Sequence, residues 1–180
     1  MNKIDLCVLL FLACTTTLFA QSTSTKGPVI SQYGAVYEVE TIDFKTDTTN
    51  VLKVVFDVDR TYENQSAPNP LIETAARFLN LHVRNGFPKE NLQVALVIHG
   101  KASSAILSNE KYEQKFQISN PNAPLIKALD AAGVKIILCG QTAAHRNISK
   151  SDTLPEVQWA LSAMTALIQL QNNNYRLIKF

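Results

Sequence analysis

The sequence predicts an α/β domain built on a mostly parallel sheet with helices on both faces. Three observations carry that prediction. Two near-continuous apolar runs, Gln93–His99 and Val134–Cys139, read as strands covered on both faces. Between the strand-like runs lie stripes with helical spacing, Leu71, Ala75, Phe78, Leu79 and His82 on one helix and Leu125, Ile126, Ala128, Leu129 and Ala132 on another. Strand and helix patterns then alternate along the chain, the order that gives parallel strands joined by helical crossovers.

From the start of the chain, Lys3 precedes the apolar stretch Leu6–Ala13, and Leu18-Phe19-Ala20 leads into the polar Gln21-Ser22-Thr23-Ser24-Thr25. This is the layout of a cleaved secretory signal over residues 1–20, with Ala20 at the cut, and the apolar core is too short to span a bilayer. The implied location is periplasmic or secreted, with no membrane span in the mature chain. A competing reading takes Phe11-Leu12-Ala13-Cys14 as a lipoprotein box with Cys14 lipidated. Cleavage after Ala20 removes Cys7 and Cys14 and leaves Cys139 as the lone thiol, so no intramolecular disulfide forms.

Residues 21–50 read as a loose polar leader followed by a half-exposed edge strand, since Ala35-Val36-Tyr37-Glu38-Val39-Glu40 alternates apolar and polar. Residues 51–180 form one domain. Its first strand is Val51–Val58 and its last is Tyr175–Phe180. The second of the two helices has clear punctuation, with Asn122 as N-cap, Pro124 in the first turn and Gly133 beyond the end. Val157–Asn174 reads as a final helix without a single charged residue, its polar Gln158, Ser162, Thr165 and Gln169 falling at spacings of 4, 3 and 4 along one stripe. Such a helix is buried on nearly all sides, and the expectation is burial against another subunit.

Composition narrows the function. With 46% apolar residues, 18% charged residues and a net charge of +2, the chain is neither disordered nor a nucleic-acid binder with a basic stripe. There is no Gly-x-Gly-x-x-Gly or Walker-type loop to hold a nucleotide or flavin, so no cofactor is expected. The chemistry is expected at the carboxyl ends of the strands, where ligands of open α/β sheets gather. Those ends carry Asp57-Val58-Asp59-Arg60, then His99-Gly100, then Cys139-Gly140-Gln141. A thiol becomes a nucleophile as thiolate, which His99 or Arg60 could favour through charge and Gly140 through close backbone amides. Against this stands the reading of Cys139 as a small apolar residue ending a buried strand. A metal site from His99, Cys139 and His145 has suitable donor types but no close-spaced ligand pair.

Several segments in register resemble the DsrE/DsrF-like family: Val97-Ile98-His99-Gly100, Tyr112 with Phe116, Asn120-Pro121-Asn122, Ala132-Gly133-Val134 leading to Cys139-Gly140-Gln141, and Ala160–Leu167. The resemblance spans residues 51–180. It implies a three-layer, flavodoxin-like fold and a homo-oligomer, a trimer or hexamer. It also implies that Cys139 accepts sulfur as a persulfide, with His99 and Gln141 as neighbours, an unidentified sulfur donor or acceptor, and Tyr112, Asn120 and Ser162 lining or supporting the crevice. The Cys-Gly-Gln form is similar to an exported branch, so a role on tRNA is not carried over. The alternative from another class is a non-catalytic binding or assembly oligomer with an inert cysteine.

Overall fold

The computed structural model describes residues 23–180, so the signal segment and Cys14 lie outside the described residues. Five strands, β1 (Leu52–Val58), β2 (Leu92–Ile98), β3 (Lys135–Cys139), β4 (Val157–Ala160) and β5 (Arg176–Ile178), form one sheet in the order β4-β3-β2-β1-β5. Every pairing is parallel. The chain builds outward from β1 to β4 and then returns across the sheet to place β5 on the far side of β1. Because crossovers are right-handed, that reversal puts the last helix on the face opposite the earlier ones.

The two faces have separate cores. On one face α1 (Pro70–Arg84) and α3 (Ala123–Ala131) pack Leu79, Ile126 and Leu129 against Val54, Phe56, Leu96, Ile98, Ile136 and Leu138. On the other, the ten-residue α5 (Ala163–Asn172) sets Ala163, Ala166 and Leu170 on Val55, Ala95, Val97 and Cys139. The strand alternation that divides these faces also decides where the chemistry points. Val55 and Asp57, Val97 and His99, and Ile137 and Cys139 lie two residues apart and so share the α5 face.

The N-terminal segment departs from the expected edge strand. Ala35–Glu40 forms no strand, and Val36 makes only an isolated antiparallel bridge with Thr25. The reason is capture by α1. The fully buried Asn80 accepts from the Val29 and Ile30 N–H groups at 3.0 and 2.8 Å and donates to the carbonyls of Ile30, Tyr33 and Gly34. Arg84 donates to Thr25, Lys26 and Gly27 carbonyls. Gly34, with φ +68°, passes so close to α1 that a Cβ would sit 2.4 Å from the Ala76 carbonyl carbon. With its backbone bonds made to α1 side chains, this stretch has no need of a sheet partner, and the leader is an ordered strap over α1.

The expected final helix also divides. Val157–Ala160 is the edge strand β4 on β3, and the helix begins only at Ala163. Ser162 ends the strand section: its backbone is extended (φ −155°, ψ 165°) and its Oγ accepts from the Thr165 N–H at 3.0 Å, the arrangement of a helix N-cap. Gln158 therefore belongs to β4 and does not continue a helical stripe with Ser162, Thr165 and Gln169. At α3 the Asn122 side chain makes no capping bond; its Oδ1 accepts instead from the Asn69 N–H at 2.6 Å.

Candidate functional site

At the carboxyl edge of the sheet, β1, β2 and β3 lie side by side, so Asp57, His99 and Cys139 come to one rim. The β2–β3 register pairs Ile98 with Leu138. One residue further along that register sets His99 opposite Cys139, at the strand spacing of about 4.8 Å, while on its other side the His99 N–H donates to the Val58 carbonyl of β1 at 2.9 Å. Both side chains are on the α5 face. Cys139 is 5% exposed.

The sulfur sits where two helices begin. Cys139 is the N-cap of α4 (Gly140–His145), and its Sγ accepts from the Thr142 N–H at 3.4 Å. Burial pushes the thiol pKa up and is the largest single influence on it. The Thr142 hydroxyl and the N–H groups of Thr142, Ala163 and Gln141 oppose it, and together they hold the thiol below its ordinary value. Ala163 is the first residue of α5, so the Ser162 cap places that donor. The Thr142 hydroxyl is itself polarised, because its Oγ1 accepts from the Gly100 N–H at 3.2 Å. Thiolate or persulfide would be the form these donors favour.

Gly140 is required by packing. A Cβ there would lie 2.6 Å from the Ala160 carbonyl oxygen and 3.2 Å from that of Leu161. The glycine lets α4 start directly against the β4–α5 connection. Gln141 contributes through its backbone N–H; its side-chain amide only reaches the Leu161 carbonyl at 3.5 Å.

Beside the thiol lies a charged relay. His99 Nε2 is 2.7 Å from Asp57 Oδ1, and Lys179 Nζ donates to Asp57 Oδ2 at 2.6 Å and to Asp59 Oδ2 at 2.9 Å. The lysine holds the Asp59 carboxyl below its ordinary range, and the two carboxylates raise the lysine in turn. Arg60 is engaged by Asp59 at 3.1 Å and by the Phe180 carbonyl. None of the hydrogen bonds received by Cys139 comes from His99 or Arg60; the close backbone amides expected beside Gly140 act instead, joined by the Thr142 hydroxyl.

The remaining residues of the expected site fall into different roles. Ser162 is buried beside the thiol as the α5 cap. Tyr112 is buried in α2 (Asn109–Phe116), where burial raises its pKa and its hydroxyl donates to the Gln65 carbonyl at 2.8 Å. Asn120 donates to the carbonyls of Ala105 and Leu107 and accepts from the Asn122 N–H. These two side chains bond to loops that support the rim, not to Cys139 or His99. His145, at the end of α4, lines a cavity with Lys111 and Arg146. No group of three or more His, Cys, Asp or Glu side chains able to hold a metal ion occurs among the described residues, which leaves His99, Cys139 and His145 without a common centre.

Sequence reasoning missed Thr142, Ala163 and Lys179. The Cys139-x-x-Thr142 spacing is that of an N-cap and its N3 partner, a signal present in the chain. Ala163 and Lys179 carried none, since each arrives through the return of the chain to a strand far away in sequence.

The model of the DsrE/DsrF-like family matches residues 53–180. Among solved structures, the chain is similar to MTH1491 of Methanobacterium thermoautotrophicum, described as a protein of unknown function, with a TM-score of 0.54, 16% identity and coverage of 72% of this chain and 99% of that one. It is also similar to the YchN protein of E. coli, with a TM-score of 0.53, 19% identity and the same coverage. At such identities these likenesses speak for the three-layer α/β fold. No protein of curated function matches the sequence.

Proposed function

This chain belongs to the DsrE/DsrF-like family, and from that premise we propose that it handles sulfur through Cys139 as a thiol and persulfide carrier. The observation that carries the reading is the Thr142 N–H donated to the buried Cys139 sulfur at 3.4 Å at the start of α4, beside polar groups of Thr142, Ala163 and Gln141 that hold the thiol below its ordinary value against burial. In the proposed step the Cys139 thiolate attacks the terminal sulfur of a donor persulfide. A new S–S bond forms at Cys139, the donor's S–S bond breaks, and the donor leaves as a thiolate that takes up the proton. The amide and hydroxyl donors stabilise the anionic sulfur before and after transfer, and the rim beside His99 and Gly100 is the approach for the donor. Transfer to an acceptor thiol is the same exchange in reverse, with no net redox change.

The reading extends to location and assembly. The layout of residues 1–20 supports export, so the donor and acceptor are sought outside the cytoplasm. A homo-oligomer, of trimeric or hexameric form by the family resemblance, is supported by the α5 face. Parallel sheets are normally covered on both sides, yet here one ten-residue helix covers that face, and Leu161, Met164 and Ile168 are 73%, 72% and 58% exposed. The same patch favours the second reading, a binding or assembly module whose cysteine is inert.

Intact-mass spectrometry of the protein before and after treatment with a small-molecule persulfide, alongside Cys139→Ser, separates the two. A gain of one sulfur atom on the wild type alone is the expected result. No gain on the folded wild type would contradict the carrier reading and leave the assembly module.

A further inference from the structure

An open cavity of about 550 Å³ lies between the 3-10 segment Gly100–Ile106, α2 and the end of α4. That is within the roughly 300–1,000 Å³ of small-molecule sites. Its lining carries three fixed cations, Lys111, Lys115 and Arg146, together with His145, against the single carboxylate of Asp152. The lining therefore carries an excess of two fixed positive charges.

The carboxylate is already occupied. Asp152 Oδ2 accepts from the Ser149 N–H at 2.8 Å and from its hydroxyl at 2.6 Å, and Oδ1 faces Lys111 Nζ at 3.5 Å. Lys115 and Arg146 have no ion-pair partner among the described residues. Cations at helix ends are ordinary complements of the helix dipole, and Lys115 in the last turn of α2 and Arg146 at the C-cap of α4 each satisfy that rule. The rule does not require the two ends to converge on one cavity. Here they do, with the exposed Asn147 amide beside them.

We propose that this cavity binds a small polyanion, a phosphorylated or polycarboxylate metabolite, through Lys115 and Arg146. The guanidinium supplies a planar fork suited to paired anionic oxygens, and Lys115 adds a point charge to the same lining. Cys139 caps one end of α4 and Arg146 caps the other, about 9 Å away along a six-residue helix. The cavity is therefore a second site, and its occupancy does not depend on sulfur chemistry at Cys139.

Calorimetric titration at low ionic strength with pyrophosphate, and separately with citrate, tests this on the wild type, the Lys115→Gln/Arg146→Gln double variant and Cys139→Ser. The expected result is saturable binding at one site per chain, weakened at least tenfold in the double variant and unchanged in Cys139→Ser. Binding of pyrophosphate alone assigns the site to phosphorylated ligands, and binding of both assigns it to polyanions generally. No saturable binding of either anion, or equal affinity in the double variant, would overturn the proposal. Lys115 and Arg146 are exposed and unpaired, so the double variant should melt with the wild type.

Discussion

At Cys139 two opposed influences meet. Burial favours the neutral thiol, while one hydroxyl and three amide N–H groups favour the anion, and the donors prevail. A folded-state pKa below the ordinary value means that ionisation favours the native state. That contribution is complete above the unfolded thiol's pKa and is lost as pH falls through the folded value. Relative to Cys139→Ala, the wild type should therefore gain stability as pH rises up to the ordinary thiol value of about 8.5 and level off above it, as read in thermal melts. A constant difference would mean the sulfur is not ionising in the folded protein. Gly140→Ala tests the placement of the donors. Its Cβ meets the Ala160 carbonyl at 2.6 Å, so the β4–α5 connection must retreat, with a cost of about 1–3 kcal/mol for overpacking. Denaturant melts should report that loss, and thiol titration should report a pKa moved back towards the ordinary value as the Ala163 N–H withdraws.

At the scale of elements, α1 organises more of the chain than its apolar stripe advertises. Leu71, Ala75 and Leu79 were readable as a core face from their spacing, and they are buried. Asn80, on the same helix, was not readable as the clamp for residues 29–34, because a polar residue beside an apolar stripe resembles a solvated face until the covering segment is known. Asn80→Ala should cost about 2–4 kcal/mol by leaving buried strap carbonyls and N–H groups unpaired. Limited proteolysis should then cut residues 23–36 faster than in the wild type. Unchanged cleavage would mean that Arg84 and Gly34 hold the strap without it. The division of Val157–Asn174 was hidden for a related reason. Polar residues at spacings of 4, 3 and 4 satisfy a helical stripe, and only the Ser162 cap shows where the strand gives way to the helix.

For the whole molecule, the parallel α/β class was legible because buried strands leave long apolar runs. The meeting of Asp57, His99 and Cys139 at one edge followed from that class once β1, β2 and β3 were neighbours. The position of β5 beside β1 was not legible, and with it went Lys179, since strand order is set by crossovers that short sequence patterns do not encode. The same return of the chain leaves one face covered by α5 alone and its outer side apolar. A Met164→Asp/Ile168→Asp variant places charge on two exposed positions, so the fold should persist while the proposed homo-oligomer dissociates. Light scattering coupled to size exclusion should give a monomer mass for the variant and a larger mass for the wild type; a monomeric wild type, or equal masses for the two, would contradict an oligomer held through α5.

The neighbours of Cys139 favour its anionic form, and the pH dependence of Cys139 alkylation in the folded protein, wild type against Thr142→Val, tests this most directly. The wild type should react with a midpoint below that of an ordinary thiol. Thr142→Val, which removes the hydroxyl but keeps the N–H, should shift the midpoint upward and slow reaction several-fold near neutral pH. Superimposed profiles, or a wild-type thiol that resists alkylation until the protein unfolds, would contradict it.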